Sequence, residues 1–138
     1  MKRPYKDESL RWLTQAKDEF EDAEELRKRG RFYLALFHFQ QATEKAFKAY
    51  LYPKVKSIEV FHTHSIDELS KMAVEIDSDF KRIASAKKLD RYYIPTRYPN
   101  GLPGGVPSRY FDDPKEAEEA MQLAKSAMDL VERKLEED

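Results

Sequence analysis

The stretch from residue 32 to residue 52, FYLALFHFQQATEKAFKAYLY, restricts the fold more than any other part of the chain. Every position from Phe32 to Phe39 is apolar except His38. Such a segment has no side that suits water, and a helix that is hydrophobic all round belongs in the middle of a protein. The stretch therefore predicts a central helix, which Pro53 ends.

The second half of this central helix carries a polar stripe. The stripe consists of His38, Gln41, Lys45 and Lys48. Spacings of three, four and three residues place these side chains along one side of a helix. Because the rest of the helix is apolar, we expect the stripe to face a partner, a ligand or solvent. Glu44 and Lys48 have the spacing of an ion pair, which either stabilises an exposed surface or belongs to a buried polar network at a dimer interface.

Further helices are predicted on both sides of the central one. Residues 8–29 have helical apolar spacing and end at Gly30, so this helix and the central one form an antiparallel hairpin. A capping box at residues 65–68 starts a short helix, in which Ser65 and Glu68 each bind the other's backbone N–H. Another helix follows from Ser78 to about Tyr93. The last helix starts after an N-cap at Asp113 and extends to about residue 135.

The segment before the last helix is rich in helix-breaking residues. Residues 95–113 hold four of the seven prolines and three of the four glycines, so we expect no helix there. Its tyrosines favour an ordered loop packed on the bundle, because disordered segments lack aromatic residues. The predicted fold is all-α: an antiparallel helical bundle of four main helices plus one short helix, with a long Pro/Gly-rich loop before the last helix.

Composition limits the classes of function. The 138 residues are enough for one domain, residues 1–138, with a sizeable core. With 25 basic and 26 acidic residues the chain has no basic excess of the kind that a broad nucleic-acid-binding surface shows, but a small anion pocket remains compatible. The absence of cysteine excludes disulfides, thiolate zinc sites and cysteine nucleophiles. No membrane-length apolar run or signal-peptide core is present, so we expect a cytoplasmic protein without a membrane partner.

The stretch from Tyr33 to Leu51 resembles the signature helix of the HEPN domain family (higher-eukaryote and prokaryote nucleotide-binding). The similar residues are an aromatic–His pair, Gln-Gln-Ala, and Glu-Lys-Ala followed by a lysine. His64 and the Arg-Tyr-Pro sequence at residues 97–99 fit the same family, and the resemblance covers about residues 8–135. It implies a nucleotide-binding helical bundle, commonly dimeric, that acts with a minimal nucleotidyltransferase in a toxin–antitoxin-like module.

The resemblance also raises the question of catalysis. Many members of the family are metal-independent ribonucleases with an Arg-x(4–6)-His motif. In this chain that spacing occurs only at Arg31 and His38, in the turn and the signature helix, and is absent from the second half. We therefore expect no strong catalysis. The alternatives are a ribonuclease toxin that uses Arg31 and His38, and a non-catalytic helical interaction module.

The candidate ligand-binding residues are Arg97, Tyr98, His38, Gln41 and Lys45. Arginine on a glycine-rich loop suits bidentate phosphate contact, although Arg97 has the alternative of holding the loop to helix-end carbonyls or an acidic residue. Gln41 and Lys45 belong to a dimer interface or a structural network, contact a ligand, or form a solvent-facing surface. His62 and His64 do not predict a metal site, because no carboxylate stands at metal-ligand spacing beside them. No cofactor is expected.

Overall fold

The computed structural model describes residues 3–55 and 58–137. Its α-helices are α1 (Arg3–Lys28), α2 (Phe32–Leu51), α3 (Ile58–His62), α4 (Ile66–Ile76), α5 (Pro107–Tyr110) and α6 (Pro114–Glu137). A 3₁₀ helix covers Ser78–Tyr92 and a 3₁₀ turn covers Pro99–Gly101. No β-strand occurs in the described residues, and the all-α prediction is confirmed.

Helix α2 is the central helix of the bundle, as predicted. It packs against α1, α4, α6 and the 3₁₀ helix, and Phe39 is fully buried. The rings of Phe20 and Phe39 lie 5.5 Å apart, and Lys48 Nζ lies 5.8 Å from the centre of the Trp12 ring, so α1 and α2 are antiparallel. Gly30 lies in the turn between them with a φ of 77°, a conformation that glycine adopts at low cost.

Within the described residues, none of the helices combines the length and the apolar character of a membrane span.

Two helix starts can be compared with the sequence. Helix α1 begins at Arg3 rather than at Glu8. Helix α6 begins as predicted, because the Asp113 carboxylate accepts from the N–H of Lys115 at 2.9 Å and Pro114 follows the cap directly.

The helix predicted after Ser78 is present, but it is a 3₁₀ helix. Its buried residues stand at every third position: Phe80, Ile83, Ala86, Leu89 and Tyr92. A 3₁₀ helix has three residues per turn, so this spacing puts all five side chains on one face. In an α-helix each step of three would rotate the side chain by about 60° around the axis. The backbone leaves helical geometry at Ile83, with φ −114° and ψ 22°.

The expectation that residues 95–113 contain no helix is wrong. The 3₁₀ turn and the single turn of α5 both lie in this segment. Each begins with a proline, whose missing N–H is not needed in a first turn and whose φ suits it. The segment packs on the bundle as predicted, since Pro107 is buried and the ring of Phe111 lies 6.0 Å from that of Tyr92.

The N-terminus of α4 forms only half of the predicted capping box. Ser65 Oγ accepts from the N–H of Glu68 at 3.1 Å, but the Glu68 carboxylate accepts from the Thr63 hydroxyl at 2.7 Å instead of reaching back. The backbone N–H groups of Ile66 and Asp67 are bound by Asp90 of the 3₁₀ helix. Its carboxylate accepts from the first two N–H groups of α4 at 2.8 and 3.0 Å. A tertiary contact therefore satisfies donors that a helix end leaves free.

Lys134 connects the end of α6 to the junction between α4 and the 3₁₀ helix. Its Nζ lies 2.8 Å from Asp77 Oδ2 and 2.6 Å from Asp79 Oδ2. Hydrogen bonds from Lys134 lower the pKa of both carboxyl groups. The same hydrogen bonds raise the pKa of Lys134. The three side chains form one ionic link between parts of the chain that are distant in sequence.

We expect Lys134→Met to lower the free energy of unfolding near neutral pH, and the difference from wild type to disappear in acid. A carboxyl group with a lowered pKa stabilises the folded state above its ordinary pKa of about 3.9, and this contribution is lost as the pH falls through the lowered folded value. Urea unfolding from about pH 7 down to about pH 2 measures the difference. Lys125→Met is the control, because its ion pair with Asp129 is exposed. A Lys134→Met difference that stays constant into acid contradicts the prediction.

Candidate functional site

Lys48, the last residue of the polar stripe of α2, forms a buried ion pair with Glu44. Lys48 is 2% and Glu44 is 3% exposed, and Lys48 Nζ donates to Glu44 Oε2 at 3.0 Å. Lys48 also donates to the carbonyl oxygen of Phe61 at 3.2 Å. The expectation that the stripe faces a partner, a ligand or solvent is therefore wrong for Lys48. A charge inside a protein needs a paired charge and hydrogen bonds, which Glu44 and Phe61 supply.

Gln41 and Lys45 extend this ion pair into a polar network. Gln41 Nε2 donates to Gln40 Oε1 at 2.8 Å and to Glu44 Oε1 at 3.4 Å. Lys45 Nζ donates to Gln41 Oε1 at 3.2 Å and pairs with Glu19 of α1 at 2.9 Å. We call Gln40, Gln41, Glu44, Lys45 and Lys48 the Glu44 network. The contacts of Gln41 and Lys45 match the structural-network alternative of the sequence analysis.

His64 lies where the Glu44 network meets the surface. Its Nδ1 is 3.2 Å from Glu44 Oε1, and its side chain is 52% exposed. The His64 carbonyl oxygen accepts from Gln40 Nε2 at 3.0 Å, and the ring stacks on Tyr93 with centres 4.8 Å apart at 19°. Backbone and ring are thus held independently, which fixes the orientation of the imidazole. Nε2 has no hydrogen-bond partner among the described residues.

Arg97 contacts the same tyrosine. Its guanidinium carbon lies 4.5 Å from the ring centres of both Tyr93 and Phe37, and 4.9 Å from that of Tyr98. Arg97 Nε donates to the carbonyl oxygen of Tyr93 at 2.7 Å, so the arginine does hold the loop to a helix-end carbonyl. Throughout residues 3–55 and 58–137, no carboxylate lies within ion-pair distance of this guanidinium. Its terminal N–H groups are left without an ionic partner in that part of the chain.

We call Phe37, His64, Tyr93, Arg97 and Tyr98 the Arg97 cluster. It joins the five residues that the sequence singled out into one set of contacts. Arg97 and Tyr98 are members, Gln41 and Lys45 connect to it through Glu44, and the ring of His38 lies 5.2 Å from that of Phe37. The sequence analysis gave no site role to His64 or Tyr93. His64 had one usable signal, its position directly before the N-cap of α4, whereas nothing local distinguishes Tyr93.

The alternative pair, Arg31 and His38, is arranged differently. Arg31 is exposed at the N-cap position of α2, with φ −89° and ψ 64°. His38 is half-buried, and its Nδ1 is buried without a hydrogen-bond partner among the described residues. No hydrogen bond or ion pair connects the two side chains. The structure therefore does not join them into a preformed pair.

A separate cleft of about 630 Å³ lies on α1, where Leu10, Trp12 and Lys45 are among the lining residues. Its lining includes no member of the Arg97 cluster. In the described residues, no three His, Asp or Glu side chains come together as a metal site. Of the five candidate ligand-binding residues only Lys45 lines this cleft, whereas Arg97 and Tyr98 belong to the Arg97 cluster.

The Arg97 cluster has the chemical features of an anion site beside an aromatic surface. A guanidinium presents parallel N–H groups that match the oxygens of phosphate. Tyr98 is 50% exposed, and its ring offers area for stacking. His64 adds a half-exposed imidazole, and the Nδ1 atom of this ring faces the buried carboxylate of Glu44.

Three comparisons with known proteins bear on these observations. The model of the HEPN domain family matches residues 9–134. The crystal structure of TT1696 from Thermus thermophilus is similar over 91% of this chain and 97% of that chain, with 35% sequence identity and a TM-score of 0.76. That of ST0689, an archaeal HEPN homologue, covers 92% of this chain and 97% of its own, with 28% identity and a TM-score of 0.72. The comparison with curated proteins found no match.

Proposed function

Because this chain belongs to the HEPN domain family, we propose that it is a nucleotide-binding protein and that the Arg97 cluster is its site. The observation that carries the proposal is the Arg97 guanidinium, held on three aromatic rings with no carboxylate partner in the part of the chain that the structure describes. In this proposal Arg97 binds a phosphate group, and the base stacks on the exposed half of Tyr98. Residues 1–138 act as one HEPN-like helical domain.

The other residues singled out from the sequence take indirect roles in this proposal. Lys45 donates to Gln41, Gln41 donates to Glu44, and Glu44 binds the ring of His64. His38 contacts Phe37, on which Arg97 lies. They are positioning residues, because their own hydrogen bonds and ring contacts are made within the chain.

We expect Arg97→Ala to weaken nucleotide binding by about ten-fold to a hundred-fold, since a hydrogen bond to a charged group contributes about 1.5–3 kcal/mol. Calorimetric titration with ATP, GTP and a short RNA measures the dissociation constants. Arg91→Ala is the matched control. The Arg91 guanidinium lies 5.4 Å from the Tyr92 ring and its Nε donates to a backbone carbonyl at 3.2 Å, so it resembles Arg97 but is outside the cluster. Its removal leaves binding unchanged.

A second variant separates binding from folding. Arg97→Ala removes packing as well as charge, so its unfolding temperature is measured beside its affinity. Tyr98→Ala truncates a half-exposed ring and is expected to fold normally while binding less tightly. The proposal fails if the wild-type protein binds none of the three ligands, or if Arg91→Ala weakens binding as much as Arg97→Ala.

We also propose that the protein is a homodimer that works with a minimal nucleotidyltransferase in a toxin–antitoxin-like module, as the HEPN resemblance implies. The segment of residues 94–110 supports the proposal of a contact surface. Its large, half-exposed apolar side chains are Ile94, Tyr98, Val106 and Tyr110. Such a concentration is typical of interaction sites. Light scattering gives the mass in solution, and a pull-down with any nucleotidyltransferase encoded by a neighbouring gene tests the partner. A monomer that captures no such protein contradicts this proposal.

The alternative function is a metal-independent ribonuclease that uses Arg31 and His38. It is favoured by the buried His38 Nδ1, because a buried polar atom without a partner in the described residues calls for an explanation such as a functional role. In that case cellular RNA is cleaved without added metal, and the cleavage is lost in His38→Ala. Nucleotide binding without cleavage removes this alternative.

A further inference from the structure

Another cleft, with a volume of about 440 Å³, lies between the 3₁₀ helix and α6. Its described lining residues include no member of the Arg97 cluster or of the Glu44 network. The 3₁₀ helix contributes two cations, Lys88 and Arg91, and α6 contributes two carboxylates, Glu116 and Glu119. We propose that this cleft binds a small zwitterion, a molecule with an ammonium group at one end and a carboxylate group at the other. This site is separate from the proposed nucleotide site.

The first step concerns the charges that line the cleft. The side chains of Lys88 and Glu119 make no hydrogen bond or ion pair with any described residue. Arg91 Nε donates to the Lys88 carbonyl oxygen at 3.2 Å, but its guanidinium has no carboxylate partner in the described part of the chain. No ion pair among the described residues therefore joins the cations of the 3₁₀ helix to the carboxylates of α6, and both remain available to a ligand.

The second step concerns the positions of these charges along the cleft. The 3₁₀ helix and α6 run antiparallel, because Asp79 at the start of the 3₁₀ helix contacts Lys134 near the end of α6. At the other end of the 3₁₀ helix, the Tyr92 hydroxyl donates to Glu116 Oε2 at 2.8 Å. Lys88 lies four residues before Tyr92, which is about 8 Å along a 3₁₀ helix. The Glu116 carboxylate and the Lys88 ammonium are therefore attached to different ends of the cleft.

Glu119 and Tyr92 complete the negative end. Glu119 stands three residues after Glu116, so both carboxylates lie on the same side of α6. Burial raises the pKa of Tyr92, and its hydrogen bond to Glu116 and the charge of Glu119 raise it further. The hydroxyl therefore keeps its proton near neutral pH and holds Glu116 in place by donating to it. Glu116 Oε1 and the Glu119 carboxylate are left to accept from an ammonium group.

The third step identifies the class of ligand. With two cations and two carboxylates, the charged lining of the cleft has no net charge near neutral pH. A ligand with a single charge is attracted by one end and repelled by the other, whereas a zwitterion is attracted by both. A nucleotide carries only negative charge near neutral pH, so the carboxylates disfavour it, and Arg91→Ala remains a control for nucleotide binding. An unbranched ω-amino acid matches the cleft, because methylene groups separate its two charged ends.

The experiment titrates the protein with 6-aminohexanoate, hexanoate and hexylamine, and follows the amide signals of residues 85–92 and 116–126 by nuclear magnetic resonance. The three probes share a six-carbon chain and differ only in their charged ends. We expect 6-aminohexanoate to bind at least about three-fold more tightly than either analogue, since an exposed charge pair contributes a factor of this order. Lys88→Gln and Glu119→Gln are each expected to weaken its binding by a similar factor and to keep the fold, because both side chains are exposed.

The neighbouring residues supply matched controls. Lys87→Gln and Glu118→Gln remove the same charges one position away, from exposed side chains that do not line the cleft, and are expected to bind 6-aminohexanoate like wild type. The inference is overturned if 6-aminohexanoate gives no saturable shift of these signals, or if hexanoate or hexylamine binds as tightly. It is also overturned if a control variant loses as much affinity as Lys88→Gln or Glu119→Gln. Circular dichroism checks the fold of each variant, and should one not fold, the comparison of the three probes on the wild-type protein decides.

Discussion

Lys48→Met is expected to lower the free energy of unfolding by about 3–5 kcal/mol, because it removes one partner of a buried ion pair and leaves the other charge inside the protein. Glu44 would keep its bonds to Gln41 and His64 but lose the cation 3.0 Å away. Methionine keeps most of the side-chain volume, so the loss comes from charge rather than from a cavity. Urea unfolding followed by circular dichroism gives the free energy.

Two further variants test the explanation. Lys125→Met removes a pair with the same spacing and the same 3.0 Å distance, but both side chains are about 60% exposed, so the expected loss is within about 0.5 kcal/mol. Glu44→Gln combined with Lys48→Met removes both charges and is expected to recover most of the stability. If Lys48→Met loses less than about 1 kcal/mol of unfolding free energy, the unpaired buried charge does not have the expected cost. The same conclusion follows if the double variant is no more stable than Lys48→Met.

Asp90→Ala is expected to lower the free energy of unfolding by about 2 kcal/mol and to weaken nucleotide binding as well. The stability loss follows because two backbone N–H groups at the start of α4 lose their acceptor, at 2.8 and 3.0 Å. The effect on binding follows because His64 stands immediately before this helix start. Urea unfolding and AMP titration of the same variant measure the two effects.

Asp113→Ala is the matched control for this variant. Asp113 caps α6 with a bond of 2.9 Å to a backbone N–H, and it makes no hydrogen bond or ion pair with any member of the Arg97 cluster. Its loss is expected to cost about 1 kcal/mol and to leave AMP binding unchanged. Equal weakening of AMP binding in both variants would mean that general instability, and not the position of His64, controls the site.

Two helix boundaries could be predicted from the sequence because they depend on neighbours along the chain. Gly30 ends the first helix since its positive φ is easily adopted, and Asp113 starts the last one through a bond two residues away. The central position of α2 also follows from composition, because the first half of this helix has no polar side and must be covered by other helices. The 3₁₀ helix also has a signal in the sequence, since its buried residues stand at every third position from Phe80 to Tyr92.

The direction of the polar stripe and the make-up of the site were decided by tertiary structure. Residue spacing shows which side chains share one side of a helix, but it carries no information about what packs against that side. Lys48 is therefore buried although a lysine is usually exposed, and the Thr63 hydroxyl binds the Ser65 N–H that Glu68 was expected to bind. Arg97 and His64 both contact Tyr93 because the 3₁₀ helix ends beside α2, an arrangement that no local pattern encodes.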